Sequence, residues 1–293
     1  MKIIYEITDP LNPIKYTGEE IISNKSSLQE WCILDTEGSE HLFINNTLQS
    51  CKGDEVIYHE SFVHSLMSGC RNPSNVLILG GSEGCMLREV LKWPVKKVTQ
   101  VDWDETLISY FKTSGSSWNS NSYDDPRVNV VISDAFEWIL KCDEKFDCIF
   151  IDLFDPTDES LNIMNILLKE CNRCLSSSGA ISMNAGSIKS KPTSQLALMV
   201  KEIFNCSKEY VAIHCPVPSF KDEWVFLMVV SRLWCINICE NKLPEMTYYN
   251  RDLLLKSIRW DTEYSILKDF WIPKKLTDPP APRILDISEY YGC

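Results

Sequence analysis

Asp152 and Asp155, which follow the apolar run from Phe146 to Ile151, are the residues of this chain with the most evident chemistry. Pro156 comes directly after them, as is common in a loop that leaves a buried strand. In a parallel α/β sheet, ligands bind at the carboxyl ends of the strands. Two carboxylates that converge there form a site for a cation, so we expect the two aspartates to face one ligand.

The elements that would position these acids alternate between strands and helices from Asn75 onward. Short apolar runs, typical of strands covered on both faces, occupy residues 76–79, 98–101, 128–132, 148–151 and 180–183. Apolar residues at helical spacing over 161–175 and 196–203 predict helices that cross over between these strands. Further strands are predicted at 210–214 and 225–230, and a helix at 253–269. This order predicts an α/β fold with a Rossmann-like, doubly wound sheet.

A change in pattern near residues 62–75 divides the chain into two domains. Before it, strand-like segments such as 31–34 and 41–44 are separated by clusters of Asn, Gly, Ser and Lys that indicate turns. We predict a small β-rich domain over residues 1–65 and a larger α/β domain over residues 66–293. The Pro-rich stretch 279–282 is interpreted as a surface tail.

A glycine-rich turn, Gly80 to Gly84, directly follows the first strand of the larger domain. Gly80 and Gly81 allow a tight turn and a close approach of a ligand, and the following helix offers its N-terminal amides. The next strand ends about 20 residues further on at Asp102, which can accept hydrogen bonds from both ribose hydroxyls. Asp134 after the third strand can accept from an adenine amino group, or cap a helix. An adenosine-containing ligand is therefore predicted.

Glu83 restricts which adenosine ligand can bind. A carboxylate in the glycine turn repels the phosphates of a dinucleotide, and the turn contains no Lys or Arg that could offset it. The turn therefore disfavours a nicotinamide cofactor and favours a positively charged sulfonium nucleoside without phosphates. If the nucleoside keeps the carboxylate of S-adenosylmethionine, methyl transfer follows; if it has lost that carboxylate, aminopropyl transfer follows.

Composition excludes several other classes of protein. The chain has 41 acidic and 29 basic side chains and a net charge of −12, which disfavours nucleic acid and suits a cationic small substrate. No apolar run reaches the ~20 residues of a membrane span, and we expect a cytoplasmic protein. The 13 cysteines are odd in number and scattered. Cys171 and Cys174, inside a helical pattern, are interpreted as buried free thiols rather than metal ligands.

Six motifs occur in order between about Ser27 and Trp260, at residues 54–60, 76–93, 101–105, 133–138, 152–156 and 217–220. In combination they resemble the polyamine aminopropyltransferases, the family of the spermidine, spermine and thermospermine synthases. Glu83 stands where many spermidine synthases have Asp, and Ala135 where they have Gly. With Phe220 and Trp224 in the late loop, these positions are most similar to the thermospermine synthases.

The resemblance implies a small N-terminal β domain joined to a Rossmann-like catalytic domain of the class I methyltransferase type. It implies transfer of the aminopropyl group of decarboxylated S-adenosylmethionine to a polyamine nitrogen, with release of methylthioadenosine, in a homodimer. The acceptor suggested is spermidine, giving thermospermine, with putrescine as the alternative. An S-adenosylmethionine-dependent methyltransferase and an inert regulatory subunit are the alternatives from other classes.

The resemblance also implies a role for each site residue. The reacting amine would meet Asp152 as general base, with Tyr58, Asp155, Phe220 and Trp224 around the acceptor. The nucleoside would be bound by Gln29 and His59 at its tail, Glu83 at the aminopropyl ammonium, Asp102 at the ribose, Asp134 and Ala135 at the adenine, and Gly80 and Gly81 in the turn. No metal is needed, because the leaving group is a neutral thioether. Departures from the family pattern at Leu28, Ser82, Cys85 and Phe154 leave the acceptor open.

Overall fold

The computed structural model describes residues 1–7, 13–204, 208–231, 234 and 243–257. The strands are β1 (Lys2–Glu6), β2 (Ile14–Lys25), β3 (Glu30–Thr36), β4 (Ser39–Ile44), β5 (Thr47–Cys51), β6 (Asn75–Gly80), β7 (Lys97–Asp102), β8 (Val128–Ile132), β9 (Phe146–Asp152), β10 (Leu175–Ser187), β11 (Glu209–Val217) and β12 (Asp222–Val230). The helices are α1 (Glu55–Met67), α2 (Cys85–Leu91), α3 (Glu105–Lys112), α4 (Ser116–Asn119), α5 (Ala135–Lys141), α6 (Leu161–Cys174), α7 (Lys191–Phe204) and α8 (Arg251–Ser257). Short 3-10 turns cover Ser122–Asp124 and Pro218–Phe220.

The N-terminal strands form a five-stranded antiparallel sheet in the order β1-β2-β3-β4-β5. Alternate residues of β3 point to opposite faces, as the two-residue period of a strand requires. Cys32 and Leu34 pack into a cluster within the N-terminal sheet. Trp31 and Ile33 pack with residues of α3 and α4. The small sheet is therefore fixed against the larger domain through one of its faces.

The larger sheet has seven strands in the order β11-β12-β10-β9-β6-β7-β8. The five strands from β10 to β8 are parallel, and β11 and β12 add an antiparallel pair at one edge. The order of the chain reverses between β6 and β9, which lie side by side. At this switch point Gly80 is the register partner of Asp152. Such a switch point is where α/β sheets bind ligands.

Helices cover both faces of this sheet. Val76 and Ile78 of β6 pack on the face that carries α1 and α2. Leu77 and Leu79 alternate to the other face, where they meet α5, α6 and α7. Because β6 is buried on both faces, its sequence is a continuous apolar run. The predicted doubly wound α/β fold is confirmed.

The individual elements of the larger domain also agree with the sequence. All seven predicted strands are present as β6 to β12, and the two predicted crossover helices are α6 and α7. The helix predicted at 253–269 is described only over α8, and the Pro-rich stretch 279–282 lies outside the described residues. Cys171 and Cys174 are buried and not in disulfides, as expected of buried thiols. Among the described residues, no helix is both long and apolar enough to cross a bilayer.

The predicted domain boundary at residues 65 and 66 falls inside α1. Phe62 and Leu66 of this helix are fully buried in the core of the larger domain. The N-terminal sheet ends earlier, at Cys51. We propose that the domains divide in the short turn between Cys51 and Glu55, so that α1 belongs to the larger domain.

Gly80 is the position where the fold constrains the site most tightly. Its φ is +90°, and an added Cβ would collide with the carbonyl oxygen of Asp152. Gly80→Ala should therefore lower the free energy of unfolding by about 3 kcal/mol or more, because strain and a backbone clash add together. Gly38→Ala is the matched control, since Gly38 also has a positive φ (+83°) but nothing lies within 4 Å of the place that a Cβ would occupy there.

Urea denaturation of both variants measures the difference. We expect Gly38→Ala to cost only about 1 kcal/mol, the strain of the left-handed backbone. Equal losses for the two alanine variants would contradict the tight contact between β6 and β9.

Candidate active site

A cavity opens at the carboxyl ends of β6, β7, β8 and β9, at the switch point of the larger sheet. Its empty space, including the mouth, is about 1080 Å³. All of the site residues predicted from the sequence line it, namely Gln29, Tyr58, His59, Gly80, Gly81, Glu83, Asp102, Asp134, Ala135, Asp152, Asp155, Phe220 and Trp224. The structure therefore brings together residues that are spread over most of the chain.

The glycine turn forms one wall of the cavity. Gly81 has a φ of +68° and Gly84 a φ of +76°, so the backbone curls in the left-handed region that glycine adopts without strain. Gln100 Nε2 of β7 donates to the carbonyl oxygens of Gly80 at 3.0 Å and Gly81 at 2.6 Å. Tyr123 Oη donates to the carbonyl oxygen of Ser82 at 2.7 Å. These donors fix the turn on which Glu83 is carried.

Asp152 ends β9 and points into the cavity from the sheet. Its Oδ1 accepts a hydrogen bond of 2.7 Å from Tyr58 Oη. Burial and the nearby Glu83 carboxylate raise the pKa of Asp152 to about 7, although His59 and the Tyr58 hydrogen bond oppose the shift. A carboxyl group that titrates near neutral pH is suited to accept a proton.

Asp155 lies three residues further along the same loop. Asn184 Nδ2 of β10 donates to its Oδ1 at 2.9 Å. Burial raises its pKa, while the hydrogen bonds from Asn184 and Trp224 act in the opposite direction. Asp152 and Asp155 both line this cavity, and their convergence on one ligand stays a prediction.

Glu83 is buried, with 8% of its surface exposed, and is paired with His59. The distance from Glu83 Oε1 to His59 Nε2 is 2.7 Å. On its other side, His59 Nδ1 lies 2.8 Å from Glu55 Oε2 and 2.9 Å from the Glu55 carbonyl oxygen. Both ring nitrogens of His59 are therefore engaged within the protein.

The residues predicted for the nucleoside are held at the ends of β7 and β8. Burial raises the pKa of Asp102 to about 7, and the hydrogen bond from the Asp104 amide partly offsets this. Gln29 Nε2 donates to Asp104 Oδ2 at 2.9 Å. Asp134 caps α5 by accepting from the amides of Phe136 and Glu137, as its alternative interpretation predicted. Both capping bonds use Oδ1, so capping leaves Oδ2 for another donor.

Aromatic side chains form the rest of the wall. The ring centroids of Phe220 and Trp224 are 4.7 Å apart, and that of Phe220 is 6.1 Å from Tyr58. Phe154 stacks on Phe136 with an interplanar angle of 19°. The bulky Phe154 between the two aspartates is thus accommodated beside the adenine-binding end of the predicted site.

Sequence reasoning did not find the contribution of the N-terminal domain to this wall. Leu42, Ile44, Leu48 and Gln49 of β4 and β5 also line the cavity. They carry no reactive group and belong to ordinary strand patterns, so nothing in the sequence marks them. Gln100 and Asn184 were also missed: Gln100 holds the glycine turn, and Asn184 binds Asp155 and lines the cavity itself.

Five carboxylates line this one cavity: Glu83 is buried, Asp102, Asp134 and Asp152 are half-buried, and Asp155 is exposed. Like charges this close raise one another's pKa and are costly without a counter-charge. A ligand with several positive charges would supply it. The negative charge of the cavity therefore suits a cationic ligand.

Residues 55–240 match the sequence profile of the family described as the spermine/spermidine synthase domain. The chain belongs to this family. Within the match lie the glycine turn, both acids of the β9 loop and the late loop with Phe220 and Trp224. The family assignment made from the sequence motifs is confirmed, whereas the thermospermine branch stays a prediction.

Proteins similar in sequence to this chain are named polyamine aminopropyltransferases. One from Sulfolobus acidocaldarius is 36% identical over 192 residues, which are 64% of this chain and 63% of that protein. One from Sulfurisphaera tokodaii is 32% identical over 242 residues, 81% of this chain and 78% of that protein. The match therefore spans slightly less than two thirds of the first relative and more than three quarters of the second.

Two solved structures of spermidine synthases share the fold. The enzyme from Thermotoga maritima superposes with a TM-score of 0.81 at 21% identity, covering 91% of this chain and 94% of that one. A spermidine synthase in complex with the transition-state analogue AdoDATO gives a TM-score of 0.82 at 22% identity, covering 91% and 95%. At this identity the likeness shows the fold, which is the one predicted.

The raised pKa of Asp152 predicts that this residue destabilises the unliganded protein above neutral pH. Its folded pKa is about 7 against an ordinary value of 3.8, so the folded state keeps the proton longer than the unfolded chain does. Its contribution to stability therefore falls as the pH rises from about 4 to about 7. Asp152→Asn, which stays neutral, should raise the free energy of unfolding by about 1–3 kcal/mol at pH 8 and by little at pH 4.

Asp125→Asn is the control with the opposite sign. The pKa of Asp125 is lowered by its hydrogen bond with Arg127, so Asn should destabilise there at pH 8. Thermal or urea unfolding of wild type and both variants at pH 4 and pH 8 measures these differences in the free energy of unfolding. An Asp152→Asn protein that is less stable than wild type at pH 8 would contradict the buried, ionisable Asp152.

Proposed function

We propose that this protein is a polyamine aminopropyltransferase, which moves the aminopropyl group of decarboxylated S-adenosylmethionine to a nitrogen of a polyamine. One observation carries the proposal: Asp152, with a pKa near 7, shares a cavity with Glu83, Asp102 and Asp155. These acids complement a cationic nucleoside and a cationic acceptor at the same time. The names of the relatives support the same reaction.

The reaction requires a free amine, and Asp152 is placed to supply it. A polyamine nitrogen has a pKa near 10 and is protonated at neutral pH, so it cannot attack. Asp152 takes one proton, and the nitrogen lone pair forms a bond with the CH₂ carbon next to the sulfonium. The carbon–sulfur bond breaks, its electron pair stays on sulfur, and neutral methylthioadenosine leaves. No charge is left on the sulfur, so no Lewis acid is required at the leaving group.

Alignment supplies the other part of the rate enhancement. Glu83 is proposed to bind the ammonium at the end of the aminopropyl group, and Asp155 an ammonium of the acceptor. With both ends held, the nitrogen and the reacting carbon meet in line, which can contribute several kcal/mol to lowering the barrier. Asp102 at the ribose and Asp134 at the adenine would fix the nucleoside from the opposite end.

The donor is proposed to be the decarboxylated nucleoside rather than S-adenosylmethionine. Glu83 lies in the turn where the tail of the nucleoside would end, and it would repel a tail carboxylate. The same turn also favours aminopropyl transfer over methyl transfer.

The acceptor is proposed to be spermidine, giving thermospermine, with putrescine as the alternative. Phe220 has no hydroxyl with which to hold the second amine of a short diamine. The late loop that carries it is pinned, because the Ser219 amide donates to Asp54 Oδ2 at 2.7 Å. Apolar residues of β4 and β5 extend the wall and suit the methylene chain of a longer acceptor. The predicted homodimer and cytoplasmic location stay predictions.

Asp152→Asn tests the general base. We expect kcat to fall by about 10²–10⁴-fold, because the amine keeps its proton, while the Kd of the nucleoside changes less than threefold. Asp158→Asn is the control, since Asp158 is exposed in the same connection, 3.9 Å from Lys191. Radiolabelled donor and product chromatography measure the rate. An Asn variant that keeps half of the wild-type turnover would refute the role.

Calorimetry with the two nucleosides tests the donor. Decarboxylated S-adenosylmethionine should bind at least tenfold more tightly than S-adenosylmethionine, since only the latter places a carboxylate near Glu83. The reverse order would favour methyl transfer. Chromatography of products formed from putrescine and from spermidine then identifies the acceptor; turnover with putrescine alone would exclude thermospermine formation.

A further inference from the structure

We propose that Glu55 and Arg88, which lie behind the cavity wall, are positioning residues of this site: acting through His59, they fix Glu83 and hold a positive charge beside Asp152. This inference rests on the proposed function, because Asp152 matters as a base only if an amine must be deprotonated. Neither the sequence motifs nor the family resemblance assigns a role to Glu55 or Arg88.

The hydrogen-bond partners of His59 assign its ring as an imidazolium. His59 Nδ1 lies 2.9 Å from the carbonyl oxygen of Glu55. A carbonyl oxygen can only accept, so Nδ1 carries a proton. His59 Nε2 lies 2.7 Å from a carboxylate oxygen of Glu83, which also accepts. Protons on both nitrogens give the ring a full positive charge.

Glu55 is held in place from the next helix. Arg88 of α2 binds it with both arms of the guanidinium, Nη1 to Oε1 at 2.9 Å and Nη2 to Oε2 at 3.0 Å. Arg88 is itself fixed by Glu89 at 2.6 Å and by the carbonyl oxygen of Trp118 at 2.7 Å. Such a bidentate pair sets the orientation of the carboxylate as well as its charge. Glu55 in turn cannot rotate away from His59.

The contacts that run from Arg88 through Glu55 and His59 to Glu83, called the relay below, come close to Asp152. A ring nitrogen of His59 and one carboxylate oxygen each of Glu83 and Asp152 all lie within 4.8 Å of one another. The groups that face Asp152 are Tyr58 and His59 from α1, Glu83 from the glycine turn and Asp155 from its own loop. Behind them, the relay also meets two groups of α2: Cys85 lies beside Glu55 and His59, and Arg88 pairs with Glu55.

The effects of these neighbours on Asp152 oppose one another. Glu83 and Asp155 raise the pKa of Asp152, and His59 lowers it. The hydrogen bonds to Glu55 and Glu83 in turn overcome the effect of burial and raise the pKa of His59 to about 10. His59 therefore stays charged over the whole range in which Asp152 titrates. Its charge keeps a base available in a pocket crowded with acids.

This assignment changes what His59 does in the site. Although its ring lines the cavity, its two nitrogens are occupied by Glu55 and Glu83. It acts on a ligand through Glu83 and on the base through its charge. Loss of the relay should therefore alter the pH dependence of transfer more than the affinity for the nucleoside.

The first experiment determines the charge of His59 without any assay of activity. Long-range ¹H–¹⁵N NMR of the imidazoles, with His59→Gln to assign the signal, should show His59 doubly protonated from pH 6 to pH 8. In Glu55→Gln, which keeps the side-chain shape but not the charge, its pKa should fall by at least one unit. A wild-type His59 that titrates near its ordinary value of 6.5 would overturn the proposal.

The second experiment measures the pH dependence of kcat/KM for the acceptor in wild type, His59→Gln and His214→Gln. His214 is the matched control: it is a buried histidine whose Nδ1 lies 3.2 Å from a carboxylate oxygen of Glu223, and it does not line the cavity. The acid limb should move up by about one pH unit in His59→Gln and stay in place in His214→Gln. The amine titrates near 10, so its own limb is separate.

The outcomes separate this inference from the proposed function. If the wild type transfers the aminopropyl group but the acid limb does not move in a folded His59→Gln variant, the role of the relay is contradicted and the proposed function stands. If His59→Gln does not fold, the pKa of His59 in Glu55→Gln decides the inference, since an unchanged value would show that Glu55 does not hold the charge of His59. If the wild type transfers no aminopropyl group, the proposed function is contradicted. The NMR experiment would still determine the charge of His59.

Discussion

The properties of the cavity follow from the repulsion among the carboxylates that the fold places around it. Asp102 and Asp152 both have a pKa near 7 because burial disfavours their charged forms and Glu83 is close to each. Such a cluster persists only because the surrounding scaffold makes it the lowest-energy arrangement that the backbone allows. Gly80 and Asp152 are register partners on adjacent strands, so the glycine turn and the base cannot move apart without breaking the sheet.

Much of the rest of the site can be understood as a means of holding these charges. Three of the acids have a neutral donor: Tyr58 for Asp152, Asn184 for Asp155 and the Asp104 amide for Asp102. Neutral donors stabilise a carboxylate but leave most of its charge in place. Glu83 differs, since its partner His59 is charged. The pocket therefore remains strongly negative, which costs stability in the empty protein and favours cationic ligands.

The sequence predicts the parts of this design that have a local signature. The apolar runs of β6 to β10 reveal the sheet because strands buried on both faces need continuous apolar sequence. Asp102, Asp134 and Asp152 are recognisable because a charge at the end of such a run has few other uses. The predicted boundary at residue 65 falls inside α1, since His59, Glu60 and His64 make that buried helix look polar and their partners lie far away in the chain. For the same reason, the pairing of Glu55 with Arg88 is invisible before the fold is known.

The electrostatics also connect binding to chemistry. In the empty cavity, Asp152 shares its proton with solvent near pH 7. Under the proposed function, a sulfonium nucleoside and a polyamine would bring positive charges close to Glu83 and Asp155. Each such charge lowers the pKa of Asp152, as any nearby cation must. The substrates would thus ionise the base that they require: Asp152 stays largely protonated where its charge would destabilise the fold, and it would lose its proton when the two cations bind.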